Sequence, residues 1–398
     1  MKSISIFYIT DNGRKLAEQL AVQLPDSRIT KYCTAGVAEK WPESSALVFI
    51  MASGIVVRTI APLLKDKKTD PAVVVLDEAG KYAISLAGGH LGGANELTRE
   101  IARQLGGEAV ITTASDVNNL TSIDLWARDN DLVIDDWNLL PVIGTRYVNN
   151  GALRIYSDEF REFPDEFLRV AEPRLADVIV TNRKNAYGET PANEGEGDKC
   201  TIDTCRVKGQ LYLRPRNLVV GIGCNSGTAQ EEIEDAVRST LDSHNLVFSS
   251  VWCLATIDIK AEEQGLKTFA QKHGLTLKVF RKDELNNVRG IEPSDAVFQA
   301  TGAYAVAEPA SRLAAGAEEI LVQKQKKGNV TVAVAEIHPE DRKQKSEARK
   351  GKIFVVGTGP GSLEHLTPAA KEAIRTSDVI VGYGTYLDLI TDLLKDKE

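Results

Sequence analysis

The run ALVFIM (residues 46–51), continuing as ASGIVVR (52–58), and the later run SLAGGHLGGANELT (85–98) decide how this chain is read. The first is continuously apolar up to Ser53-Gly54, the pattern of a strand buried on both faces. In the second, Gly88, Gly89, Gly92 and Gly93 surround His90, and Leu97, Ile101 and Leu105 then recur at helical spacing. A glycine loop therefore opens a helix near Asn95. Such loops let a ligand approach the backbone, and free N–H groups at a helix start favour an anion. Neither GxGxxG nor GxxxxGKS/T occurs in this stretch, so the loop is not a nucleotide fingerprint.

Working outward, Ser3–Thr10 alternates as a strand, and Leu16, Ala17, Leu20 and Ala21 give the next helix a buried stripe. Residues 72–76 and 82–86 flank a turn at Asp77–Gly80, and 109–113 is a further strand. Residues 1–117 thus form a small α/β domain. Residues 118–216 are less regular, with short strands at 152–156 and 178–181 and a polar loop at 189–199; they read as an α+β linking or covering domain without chemistry.

Legibility returns at 217–338. Strands are expected at 218–223, 251–259, 275–280 and 296–302, with a hairpin at 320–334 around Lys327–Asn329. Thr228–Glu231 reads as a capping box with Thr228 at the N-cap. Lys260 and Glu263 stand at a helix start, and small residues through Ala314 form another helix. The fold class is α/β: two small sheet domains joined by the middle one. A charged linker (339–352) leads to 353–398, where strands at 353–356 and 378–382 and one helix are too little to bury a core alone.

Composition narrows the function. A net charge of −8 argues against a nucleic-acid surface and leaves polyanions to local cations and backbone donors. No apolar run reaches membrane-spanning length, so a cytoplasmic protein without a membrane partner is expected. The five cysteines are scattered, which argues against a disulfide framework; Cys200 and Cys205 lack a second pair, so no metal site is expected.

Several segments are distinctive together: SGIVVR (53–58), KKTDPAVVVLDEAG (67–80), SLAGGHLGGANELT (85–98), VITTASD (110–116), GIGC (221–224), TIDIKAEEQGL (256–266), TG (301–302), VAEPA (306–310) and VTVAVAEI (330–337). In order and spacing they resemble the cobalt-precorrin-5A hydrolases of anaerobic cobalamin (vitamin B12) biosynthesis. Residues 355–374 and 378–390 resemble the opening of a precorrin-3B C17-methyltransferase, a tetrapyrrole methylase. The resemblance implies hydrolytic opening of the δ-lactone of cobalt-precorrin-5A, giving cobalt-precorrin-5B and acetaldehyde. It implies no organic cofactor, since the cobalt arrives with the substrate, and other enzymes of the pathway as possible partners. Gly357, Gly359 and Gly361 would belong to an S-adenosylmethionine site only in an intact methylase, so methyl transfer is not expected. One departure is Asn225-Ser226, where the family usually has basic residues after GIGC.

His90 is the first candidate for general base, or for an axial ligand to the substrate's cobalt; the alternative is a histidine tied into a tight turn. Arg58 and Lys67 are candidate carboxylate clamps, against the alternative of solvated charges pairing with Asp70 or Asp77. Ser53, Gly54, Asn95 and the glycine-loop N–H groups are candidate donors, although Asn95 is equally explained as a helix cap. Lys260 and Glu263 are catalytic candidates or a plain ion pair on one helix face. Cys224, counted in the substrate-binding set, is a candidate thiolate nucleophile ahead of a helix start or a small buried apolar side chain, and Glu308 a cleft carboxylate or an exposed one. Gly223 and Gly302 complete the expected substrate-binding set, in a cleft between the first and third domains. A non-catalytic tetrapyrrole carrier is the alternative function, and a generic nucleotide binder a third, disfavoured by the missing phosphate motifs.

Overall fold

A computed structural model describes residues 3–24, 26–159, 161–186 and 209–337, and in the C-terminal segment 354, 356, 357, 366–377, 379–382, 387 and 390–393. The chain divides into two compact units, Met1–Pro339 and Glu340–Glu398. Among the described residues no helix is long and apolar enough to cross a membrane.

The first unit is built on three mixed sheets. The first holds β1 (Ser3–Tyr8), β2 (Ser27–Lys31), β3 (Ser44–Ile50), β4 (Ala72–Leu76), β5 (Tyr82–Ala87) and β6 (Glu108–Val110), in the order β2-β1-β3-β4-β5-β6. The expected central strand is β3; Ala46 to Ile50 are all buried, because helices cover both faces. Helices α1 (Asp11–Gln23) and α4 (Ala94–Leu105) cover one face through Leu16, Leu20 and Ile101. On the other face, α2 (Thr34–Lys40) and α3 (Ser53–Ile60) pack Val37, Val56 and Ile60 against Phe7 and Phe49.

The 72–87 hairpin is present, and its direction matters. β4 is parallel to β3, with Ile50 level with Leu76, whereas β5 is antiparallel to β4, with Ala83 level with Leu76 and Ala87 level with Val73. Ser53 therefore leaves one end of the sheet and the glycine loop leaves the other.

The middle region is more regular than its sequence suggests. It adds α5 (Ala114–Val117), α6 (Ile123–Asp129), β7 (Leu132–Ile134), α7 (Leu139–Asn150), β8 (Leu153–Ser157), β9 (Phe167–Arg169), β10 (Val178–Val180) and β11 (Leu211–Pro215). Its strands form one sheet in the order β7-β11-β10-β8-β9, and α6 and α7 bury Trp126, Ile143 and Tyr147 on it. Three-residue strands carry too little alternation to be read in advance. Residues 189–199, Cys200 and Cys205 lie outside the described residues.

The third sheet holds β12 (Leu218–Cys224), β13 (Val251–Ile257), β14 (Thr276–Phe280), β15 (Val322–Lys327) and β16 (Val330–Glu336), in the order β14-β13-β12-β16-β15. One face carries α8 (Gln230–Ser243) and α9 (Gln264–Lys272); the other carries α10 (Lys282–Asn286) and α12 (Ala307–Ala315). Gly221 is where α12 touches the sheet: a Cβ there would sit 1.9 Å from the Ala307 carbonyl oxygen. Any side chain at 221 must push the helix away.

Two expectations in this sheet are corrected. Residues 296–302 are not a strand but helix α11 (Asp295–Thr301), closed by Gly302 at φ 74°. The apolar run AVFQA fits either period over so few residues; Ser294-Asp295 before it and the left-handed glycine after it decide for a helix. Nor is Thr228 the N-cap of α8. Ala229 takes that position, and the Thr228 hydroxyl donates instead to the Asn225 carbonyl at 2.8 Å.

Middle and third sheets meet at a seam of amides and carboxylates. Asn217 Nδ2 donates to both Glu159 and Glu336, and Asn182 Nδ2 donates to Glu336 Oε1 (2.8 Å) and Asn217 Oδ1 (3.1 Å). Burial, with Glu159 adding to it, pushes the Glu336 carboxyl above its ordinary range.

In the second unit, α13 (Pro368–Thr376) packs Ile374 with Leu366 and Ile390. Phe354, Val356 and residues 379–382, expected as strand, join no sheet among the described residues. Gly357 is described; Gly359 and Gly361 are not.

Candidate functional site

The loop after β5 works by glycine geometry. Gly88, at φ +69°, turns the chain so tightly that a Cβ would lie 2.9 Å from the Pro71 carbonyl oxygen. Gly89, Gly92 and Gly93 carry the loop on to α4, whose N-cap position is Gly93, not Asn95. Two N–H groups at the start of α4 are taken by the loop itself: Ala94 N–H donates to the Gly88 carbonyl and Asn95 N–H to the Gly89 carbonyl, both at 3.0 Å.

Asn95 is buried, and its side chain is a cross-tie. Its Oδ1 accepts from Ser85 Oγ (2.6 Å), while its Nδ2 donates to Thr113 Oγ1 (3.0 Å) and Asp116 Oδ2 (2.9 Å). Four residues on, one helical turn along the same face, Arg99 reaches the other oxygen of Asp116. Asp116 is thereby fixed, and it faces His90.

His90 is the centre of the arrangement. Its Nε2 lies 3.0 Å from Asp116 Oδ2 and 3.3 Å from Ser115 Oγ. Its Nδ1 lies 2.9 Å from Ser122 Oγ and 3.2 Å from Asp124 Oδ1. Ser122 in turn donates to Asp124. The three ionisable side chains are only 12–17% exposed. The hydrogen bond that the ring donates to Asp124 raises the imidazole pKa above its ordinary value; burial opposes this and Asp116 adds to it. Burial would lift both carboxyls, but Arg99 and His90 hold Asp116 below the usual range, and His90 and Ser122 do the same for Asp124. The group that titrates nearest neutrality is therefore the histidine.

A second cluster forms where β12 and β13 end. Lys260 Nζ donates to Glu263 Oε2 (3.0 Å) and Ser226 Oγ (2.9 Å), and Gly227 N–H donates to Glu263 Oε1 (2.7 Å). The ion pair read from sequence is present, yet the two residues do not share a helix: Lys260 closes a short 3₁₀ turn and Glu263 is the N-cap position of α9. Lys260 holds the Glu263 carboxyl below its usual range, while burial pushes the nearby Cys224 thiol up, away from a reactive thiolate.

The remaining candidates disperse. Ser53 and Gly54 open α3 at the sheet end opposite the glycine loop, and exposed Arg58 donates back to the Gly54 carbonyl at 2.9 Å. Lys67 stands at the glycine-loop end, 5.7 Å from the ring centre of Trp137, with Lys68 at 4.3 Å. Asp70 and Asp77, the alternative partners for these cations, accept instead from backbone N–H groups of 65 and 66, and of 79 and 82. Glu308 is buried and accepts from the Lys324 backbone N–H at 3.0 Å. Gly223 lies in β12 and Gly302 beside Lys282. Among the described residues no group of three or more His, Cys, Asp or Glu is arranged to hold a metal ion.

Sequence reasoning reached His90 and missed its partners. Asp116 ends a segment already singled out, but Ser122 and Asp124 belong to the region read as chemically empty, just past the boundary drawn at 117. The only signal there is a Ser-x-Asp at the start of a short helix, which reads as ordinary capping.

Comparison with known proteins follows the same layout. Residues 35–116 match the profile of the cobalamin synthesis G N-terminal domain, 218–335 that of the cobalamin synthesis G C-terminus, and 352–398 that of the tetrapyrrole (corrin/porphyrin) methylases. The chain is 38% identical over 299 residues to a cobalt-precorrin-5A hydrolase of Priestia megaterium, covering 73% of this chain and 78% of the relative. To the protein of that name from Salmonella typhimurium it is 28% identical over 367 residues, covering 85% and 98%. A 49-residue segment is 55% identical to a cobalt-factor III methyltransferase of Priestia megaterium, 12% of this chain and 9% of that relative.

Proposed function

The chain belongs to the cobalt-precorrin-5A hydrolase family of cobalamin biosynthesis, and on that premise we propose that it hydrolyses the δ-lactone of cobalt-precorrin-5A on the anaerobic route, yielding cobalt-precorrin-5B and acetaldehyde. The observation that carries the chemical part of this reading is His90, a histidine at the tip of a glycine loop with one carboxylate on each side.

The reaction adds water across the acyl carbon–oxygen bond, leaving a carboxylate and an alcohol. Loss of the alcohol's proton then drives cleavage of the bond to the macrocycle; the oxygen becomes the aldehyde carbonyl, and the bonding electrons pass to the ring system. Both steps need a group that accepts and returns a proton near neutral pH. His90 suits this because Asp116 and Asp124 stabilise the imidazolium that forms, while their own pKa values keep them ionised throughout. Lys67, at the same sheet end, supplies a cation for a substrate carboxylate. The cobalt is part of the substrate and no organic cofactor is invoked. We assign no methyl transfer to residues 353–398.

The test is anaerobic incubation of the full chain and its His90→Gln variant with cobalt-precorrin-5A, with acetaldehyde trapped and the macrocycle followed by mass. Wild type should turn over many times, and the variant should bind the substrate but release acetaldehyde at least about a hundredfold more slowly. Stoichiometric binding by wild type without acetaldehyde would replace the hydrolase with a carrier.

A further inference from the structure

We propose that Asp124, acting with Ser122, is the positioning residue that keeps a proton on Nδ1 of His90 and leaves Nε2 as the nitrogen that exchanges protons. This deepens, and rests on, the acid–base reading of His90.

A carboxylate faces each ring nitrogen, so a neutral ring turns one bare nitrogen toward an acceptor, and the serine on each side distinguishes the two. An ionised carboxylate only accepts, so the single Ser122 hydroxyl proton must point at Asp124. The Ser122 oxygen then has only a lone pair to offer Nδ1 at 2.9 Å, and Asp124 Oδ1, at 3.2 Å from the same nitrogen, likewise only accepts. Both partners on that side thus call for a proton on Nδ1. On the other side, Asp116 accepts from Nε2 while the ring is charged. Once that proton leaves, Ser115 Oγ, 3.3 Å away, is placed to donate to the bare nitrogen.

The charged groups facing the ring are Asp116, itself backed by Arg99, and Asp124 from α6. They are not equivalent. Asp116 divides its charge among Arg99, Asn95 and His90, whereas the charged partner of Asp124 among the described residues is His90. Asp124 is thus the carboxylate that fixes the ring, and it comes from a different domain than the loop that carries the histidine. A histidine oriented by a carboxylate on one nitrogen and working through the other is a recurrent solution for proton transfer.

The experiment is ¹⁵N-histidine NMR of the full chain without substrate, titrated across the His90 transition, in wild type, Asp124→Asn and Ser122→Ala. Wild type should show a neutral ring protonated on Nδ1. Asp124→Asn, whose amide can turn an N–H toward Ser122, should move the neutral ring to the Nε2-protonated tautomer. The same variant should lower the His90 pKa by about one unit or more and cut kcat by roughly a thousandfold with KM nearly unchanged. Ser122→Ala should keep the Nδ1 proton through the direct carboxylate contact and lower the pKa less. A wild-type neutral ring protonated on Nε2, or an Asp124→Asn variant with unchanged tautomer and pKa, overturns the proposal. Because the spectra need no turnover, a tautomer that responds as stated beside a His90→Gln enzyme of normal activity would overturn the catalytic reading alone.

Discussion

The middle sheet is joined to its neighbours by two seams that both hold carboxylates but pair them with different groups. Toward the first sheet, an imidazole stands between two carboxylates and a guanidinium backs one of them: charges of both signs, partly open to solvent. Toward the third sheet, the carboxylates of Glu159 and Glu336 gather around the amides of Asn182 and Asn217, with Arg161 paired to Glu159 at 3.3 Å, and no imidazole is among them. A cluster of acids is therefore not by itself a place for chemistry. The first seam can gain and lose a proton near neutrality without losing its partners, whereas the second is held together by donors that do not titrate.

The largest expected effect separates the seams outright. His90→Gln should lower kcat by about 10²–10⁴. It should also remove a pH-dependent part of stability: with the folded pKa raised, pairing of the imidazolium contributes fully below the unfolded value of about 6.5 and is lost as pH rises through the folded one. Thermal melts of both proteins from pH 5 to 9 would show wild type losing more stability over the alkaline half. Asn217→Ala should do the reverse at the other seam. It strips a donor from two buried carboxylates, a cost of about 3 kcal/mol by denaturant titration, while the folded fraction keeps its kcat. A comparable fall in kcat would erase the distinction between the seams.

Glu336→Gln sharpens it from the other side. A carboxyl whose folded pKa is raised loses stability as pH climbs from the unfolded value, near 4.5, through the folded one. The amide can still accept from Asn182 and Asn217, so the variant should melt a few degrees above wild type at pH 7, roughly 1 kcal/mol, and gain little at pH 4. The smallest effect belongs to Arg58→Ala. Its guanidinium is exposed at the far end of the first sheet, so KM should move less than about twofold; a tenfold rise would put the substrate there instead.

Much of this architecture was legible because strands such as 46–51 and 218–223 are buried on both faces and announce themselves by continuous apolarity. His90 was legible because four glycines crowd it. Its partners were not. Ser122 and Asp124 sit where a four-residue and a seven-residue helix follow one another, too short for periodicity, and side chains brought together by domain packing leave no spacing to read. The helix at 295–301 was misread for a related reason, a run short enough to fit two periods. At the glycine loop, spacing shows that a helix begins, but not that the Gly88 and Gly89 carbonyls already accept from the Ala94 and Asn95 N–H groups.

Trp137 deserves a use of its own. Its ring lies under the ammonium groups of Lys68 and Lys67, which precede β4, while the indole itself belongs to the middle region just past β7. Its emission therefore depends on a field set by residues of the first sheet's layer, at the sheet end from which the His90 loop departs. Any separation of those layers, or any coloured macrocycle settling near them to take up the excited-state energy, alters that light, so the protein carries an intrinsic optical gauge of its own first seam.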